Sequence, residues 1–313
     1  MTEAPDPRPP FGAIRRTLRR MVAAGKTAQF ALAIMVLLTV LILLAPTRTI
    51  QLQARSLSAE VQIMGEPLQW NLDGAIVCAP SLDRDLTDPD CGAMASQLTL
   101  PDEDYEWVRG QQLRIDWTTD DLRITSLNEG SNWPANTVFI LSHEDAQRNG
   151  ALAFVGHVTI GQEIGAGSTG YVLEGQYTIY EQGLLARFLP SWSPDVTRQG
   201  EIRRGDAIRI VCKRNWISPC EDEEPLDEPR LFSNQVSGSI TMDSDGEAGI
   251  HVVGLGVESN SMVEIAYAGR SEALLVRPNW IQRAAASSGL LALSLLFSLI
   301  APLLLPFFEK RKG

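Results

Sequence analysis

The sequence predicts an all-β domain, an antiparallel sandwich or barrel, held outside the cytoplasm between two transmembrane α-helices. Three observations carry this. Between residues 47 and 283, apolar and polar residues alternate with period two in about a dozen short runs. Uncharged apolar stretches flank that region at Thr27–Ala45 and Ala284–Phe308. All 4 cysteines lie between the stretches.

Residues 1–26 form a cytoplasmic tail. Pro5, Pro7, Pro9 and Pro10 keep its start from folding. From Ala13 to Ala24, Ile14, Leu18, Met21 and Val22 oppose Arg15, Arg16, Arg19 and Arg20, a short basic amphipathic helix whose charge sets topology. Residues 27–45 are the first expected span. It is read as retained and not as a cleaved signal, because the run exceeds an ordinary signal core, Pro46 follows, and no Ala-x-Ala site appears. The second span, 284–308, holds 25 residues without a charge. At about 1.5 Å per residue it exceeds the roughly 30 Å of a bilayer's hydrocarbon core. Residues 309–313 close the chain as a second cytoplasmic tail.

Charge orients the arrangement. Residues 1–26 carry +4 and residues 309–313 carry +2; subtracting these from the chain's −11 leaves −17 for the segment between. Basic flanks stay inside, so both termini are expected in the cytoplasm and the acidic centre in the periplasm of a bacterial cell. In an oxidising compartment Cys78, Cys91, Cys212 and Cys220 read as two structural disulfides, the sequence-local pairing being Cys78 with Cys91 and Cys212 with Cys220.

The β region begins with Ile50, Leu52 and Ala54 alternating with Gln51, Gln53 and Arg55, then Val61 and Ile63 alternating with Glu60 and Gln62. Further strands are expected at Ala75–Cys78, Gln112–Trp117, Leu122–Ser126, Thr137–Ser142, Ala151–Ile160 and Tyr171–Tyr180. Others follow at Ala207–Cys212, Val236–Met242, Gly249–Val257, Met262–Tyr267 and Ala273–Val276, with an Asp245-Gly246 hairpin turn. Arg109-Gly110-Gln-Gln-Leu113-Arg114-Ile115 echoes Arg204-Gly205-Asp-Ala-Ile208-Arg209-Ile210, which raises a division into two β units near 190–199. Gly183–Trp192 departs from the strand pattern, with Leu184, Leu185, Phe188 and Leu189 at helical spacing.

Candidate chemistry is thin. Gly165-Ala-Gly167-Ser-Thr-Gly170 spells a dinucleotide fingerprint, but Tyr171, Leu173, Gly175 and Tyr177 continue as a strand where the mechanism needs a helix N-terminus. His143, His157 and His251 share no metal spacing. The acidic loops at Asp83–Asp90 and Glu221–Glu228 fail the calcium-loop pattern. Dispersed tryptophans indicate cores, with Trp280 placed as an interfacial anchor before the second span. No catalytic residue, cofactor or metal is expected.

The expected function is therefore a membrane-anchored periplasmic interaction module, an accessory or scaffold subunit of a bacterial envelope complex. Its partners would be membrane or periplasmic proteins, basic surfaces among them, in a homo- or hetero-oligomer; an acidic centre excludes nucleic acid. A glycan- or lipid-binding module is the alternative, and a periplasmic hydrolase a third. In the second span Ala284, Ser288 and Ala292, with Ser294 and Ser298, repeat small residues four apart, a candidate helix–helix contact.

Overall fold

The computed structural model describes residues 47–80, 91, 95–97, 105–130, 133–161, 170–182, 194–213, 231–242, 247–257, 261–267, 272–288, 290–295 and 298. The chain divides into two compact units, one of Thr47–Gln182 with Pro194–Arg283, the other of Met1–Pro46, Gly183–Ser193 and Ala284–Gly313. The first is all-β and antiparallel throughout.

Its strands are β1 (Thr47–Ser56), β2 (Ser58–Ile63), β3 (Leu68–Trp70), β4 (Ile76–Pro80), β5 (Ala95–Gln97) and β6 (Tyr105–Trp107). β7 (Gln112–Trp117), β8 (Asp121–Ser126) and β9 (Thr137–Ser142) follow, then helix α1 (His143–Asn149), β10 (Leu152–Ile160) and β11 (Val172–Gln182). The chain continues through β12 (Asp195–Ile202), β13 (Ala207–Lys213), β14 (Leu231–Ser233), β15 (Val236–Met242), β16 (Ile250–Val257), β17 (Ser261–Ala266) and β18 (Leu274–Val276) to helix α2 (Trp280–Ala286).

One sheet runs in the order β12-β11-β1-β16-β15-β10-β2-β7-β8-β9-β4-β5. β10 joins its halves, because it pairs with β15, with β2 and, at its end, with β13. Around β7–β9 the sheet curls over an aromatic core of Trp70, Trp107, Trp133 and Phe139, closed by the β3–β6 pair. Around β1 a second layer of β13, β17 and β18 lies against the first, and Ile210 of β13 reaches over Gly256 of β16. Period two explains the burial. In β1, Ile50, Leu52, Ala54 and Ser56 are buried while Gln51, Gln53 and Arg55 face out.

Gly110 and Gly205, the glycines of the internal echo, both have positive φ (87° and 91°), and each leads through a short turn into a strand, β7 and β13. The shared motif is thus a turn and its strand. Residues 190–193 of the expected boundary lie outside the described residues, and Asp195–Gln199 belong to β12. Helix α1 escaped the periodicity reading because it spans 7 residues; Ser142 caps it, accepting from the Asp145 N–H, and Gly150 ends it at φ 85°.

Among the described residues no helix is long and apolar enough to cross a membrane. The first expected span, 27–45, lies outside them. Of the second, residues 284–286, 288, 290–295 and 298 are helical, with Leu291 and Leu295 exposed at 60% and 65%.

Candidate functional site

Cys78 and Cys91 form a disulfide with Cα atoms 5.4 Å apart, tying the end of β4 to the segment before β5. Cys212 is also disulfide-bonded, and Cys220 lies outside the described residues. So do both acidic loops and most of the Gly165–Gly170 stretch; the residues after Gly170 form β11, a strand and not a phosphate-binding helix.

The histidines do not meet. His143 begins α1 with its ring stacked 3.8 Å from that of Trp117. Ser142 beside it donates its hydroxyl to Asp145 at 2.6 Å and serves as the cap, so it is not poised as a nucleophile. His157 on β10 contacts the Gln62 side chain, and His251 sits on β16. No group of three or more His, Cys, Asp or Glu among the described residues could hold a metal.

Two carboxyls near Trp117 are perturbed in opposite directions. Burial pushes Asp116 above its ordinary value, against a 2.6 Å hydrogen bond from Ser58. Burial acts upward on Asp121 too, but hydrogen bonds from Arg123 (2.9 Å) and Thr118 (2.5 Å) outweigh it and hold the carboxyl below the usual range. Both are structural pairings of β2, β7, β8 and the turn between β7 and β8.

The tryptophans do converge, contrary to their dispersion in sequence. Trp107 stands 5.0 Å from Trp70 and 5.1 Å from Trp133 between ring centroids. At 0–5% exposure these rings fill a core. Beneath α1 an apolar crevice lined by Leu72, Leu141, Ala146, Leu152 and Met242 leaves room for about one water.

What distinguishes the molecule is the outer face of β11-β1-β16-β15. On β16 the usual order of a strand is inverted. Gly254 and Gly256 point into the core, while Val253, Leu255 and Val257 point out at 40%, 44% and 55% exposure. The core enforces this register. A Cβ at Gly254 would come within 2.9 Å of Val236 Cγ1, and one at Gly256 within 3.2 Å of Ile210 Cγ2. On β15 a Cβ at Gly238 would meet the Val253 carbonyl oxygen at 2.2 Å and the Phe154 ring at 2.6 Å. A slip by one residue would drive valine and leucine into space shaped for hydrogen, so the apolar stripe is obliged to face outward.

Comparison with protein families, curated proteins and solved structures returned no match.

Around the stripe the face is uncharged. Across Leu255 the row reads Thr178, Gln51, Leu255, Ser237, and across Val253 it reads Gln176, Gln53, Val253, Ser239. Side-chain amides link neighbouring strands, Gln176 donating to Gln53 at 3.1 Å and the Tyr180 hydroxyl to Gln51 at 3.2 Å. Among the described residues charge gathers at one end, where Arg55 meets Glu174 and Glu247, and at the β12 edge, where Glu201 pairs with Gln176. Sequence reasoning missed this face because Val252-Val253-Gly254-Leu255-Gly256-Val257 reads as uniformly buried; the alternating glycines were the available signal.

At the opposite end of β1 the four chain ends of this unit meet. Thr47 pairs with Gln182, and Asp195 pairs with Glu181. The Glu181 carboxylate, 6% exposed, takes Arg48 at 2.8 Å on one oxygen and Arg283 at 2.9 Å on the other. Of the candidate helix contact, Ala284, Ser288 and Ala292 are partly buried. The Ser294 and Ser298 hydroxyls donate to the carbonyls of Leu291 and Leu295 in their own helix.

Proposed function

We propose that this protein is a membrane-anchored interaction module of the bacterial envelope, presenting its β domain in the periplasm as an accessory or scaffold subunit. The observation that carries the reading is the outward Val253-Leu255-Val257 stripe, which the glycines behind it oblige to be exposed. Exposed aliphatic side chains on a regular sheet, ringed by uncharged amides and hydroxyls, suit a protein partner. They do not suit a small ligand, which needs concavity. Two anchors are supported by the uncharged runs at 27–45 and 284–308, by the basic termini, and by Leu291 and Leu295, large apolar side chains exposed on a helix. The disulfides favour an oxidising compartment.

The test is purification of the full chain in mild detergent beside the Leu255→Arg variant, with thiol labelling of cells carrying Glu66→Cys or Gly313→Cys. A stoichiometric partner, a second copy included, should be held by the wild type and released by the variant. Glu66→Cys should be labelled from the periplasmic side and Gly313→Cys should not. A wild-type chain that is monomeric and holds no partner refutes the reading, and outside labelling at residue 313 refutes the topology.

A further inference from the structure

We infer that the face centred on Leu255 receives a second copy of this chain, packed sheet against sheet about a twofold axis parallel to β16. The inference deepens the proposed function and rests on it for the direction of the axis.

Charge selects the occupant. The segment between the apolar runs carries −17, so two copies repel over most of their surfaces. The stripe and its neighbours on β1, β11 and β15 are the exception, since Gln51, Gln53, Gln176, Thr178, Ser237 and Ser239 carry no charge. A basic partner would find nothing here to pair with. An identical face offers aliphatic surface for aliphatic surface, and its amides both donate and accept.

The chain ends select the axis. Thr47, Gln182, Asp195 and Arg283 all lie at the Val257 end of the sheet, where Thr49 pairs with Val257. Two copies entering one membrane must carry those ends on the same side, so the twofold axis runs along the strands. β16 then lies on its own counterpart, with Val253, Leu255 and Val257 each facing the same residue. β1 lies over the partner's β15, which sets Gln51 over Ser237 and Gln53 over Ser239. The contact is isologous, as a closed dimer requires. The Arg55-Glu174-Glu247 group falls at the rim.

Area sets the strength. Four strands about 4.8 Å apart and some 20 Å long give roughly 400 Å² per copy, or about 800 Å² in all. That is the size of a weak or transient contact. Confinement of both copies to one membrane raises their effective concentration and makes a contact of this size sufficient.

The experiment uses the full chain with its native disulfides. In membranes, Val253→Cys and Leu255→Cys are each expected to form a disulfide-linked dimer under mild oxidation, whereas Thr178→Cys, two strands from the axis, is not. In detergent, Leu255→Arg should weaken the dimer about thirtyfold or more, with Leu255→Thr intermediate and the melting temperature of both close to wild type. Cross-linking at 178 as readily as at 255, or a dimer unaffected by Leu255→Arg, overturns the inference. So does a monomer that holds a different protein released by Leu255→Arg, an outcome that leaves the interaction-module reading standing. A monomer with no partner of any kind overturns both.

Discussion

Replacing Glu181 by Ala tests whether one carboxylate binds the β unit's beginning to its end. The side chain is 6% exposed and contacts Arg48 and Arg283, themselves 13% and 20% exposed, so its loss takes a shared carboxylate away from two partly buried guanidinium groups. Breaking a buried ion pair from one side costs about 3–5 kcal/mol, and the water still reaching both arginines places this case near the lower figure. For a unit of this size that corresponds to a fall in melting temperature of about 6–12 °C. Arg48→Ala leaves Glu181 its Arg283 partner and should cost less, about 1–2 kcal/mol. The assay is thermal unfolding of the full chain in detergent, followed by near-ultraviolet circular dichroism at low and moderate salt. Screening acts weakly on buried pairs, so the loss should persist at high ionic strength. A shift below about 2 °C for Glu181→Ala, or a larger one for Arg48→Ala, would refute the assignment of Glu181 as the hub.

Two further outcomes follow from the same physics. Asp121 has a folded pKa below its unfolded value, so its stabilisation is full above the unfolded value and disappears as pH falls through the folded one. Asp116 has a raised folded value, so it favours the fold at pH below the unfolded value and loses that contribution as pH rises through the folded one. Urea titrations at neutral pH should therefore show Asp121→Asn destabilised by about 1 kcal/mol and Asp116→Asn unchanged or more stable; matching signs would contradict the argument. Gly238→Ala, whose methyl must displace a backbone oxygen and a phenyl ring, should cost about 3 kcal/mol, against about 1 kcal/mol for Gly256→Ala, where the Ile210 side chain gives way by a few tenths of an ångström. Equal costs, measured by the same unfolding assay, would show that the glycines do not fix the register.

Much of the fold is legible in the sequence because alternation is a local signal. Gln112–Trp117, Thr137–Ser142 and Val236–Met242 emerge with the bounds that period two assigns them. What stayed hidden is short, non-local or poor in apolar residues, as in the 8-residue β12, whose aliphatic side chains are Val196 and Ile202 alone. β3, β6 and β14 have 3 residues each, too few for a period to register. Trp70, Trp107 and Trp133 lie far apart in sequence, and only the pairing of β3 with β6 and the curl of the sheet bring their rings together. The Glu181 hub is likewise invisible, since its partners lie 133 and 102 residues away.

The inverted strand shows how the core dictates the surface. In β1 the aliphatic residues face inward and the glutamines outward, the ordinary solution for a strand with one wet side. β16 lies directly beside it and does the reverse in its second half, at the cost of core volume that Phe154, Val236 and Ile210 must reach across to fill. Exchanging the two sets, with aliphatics at 254 and 256 and polar residues at 253, 255 and 257, would bury more apolar area if the layers stood further apart. The close approach of β13 over Gly256 instead holds the layers together and leaves the aliphatics outside. A strand half that gives up core packing while exposing its aliphatic side chains makes sense where those side chains are covered by something else. The exposed stripe and the glycines behind it are therefore one feature, and a substitution on either side should be felt at the interface.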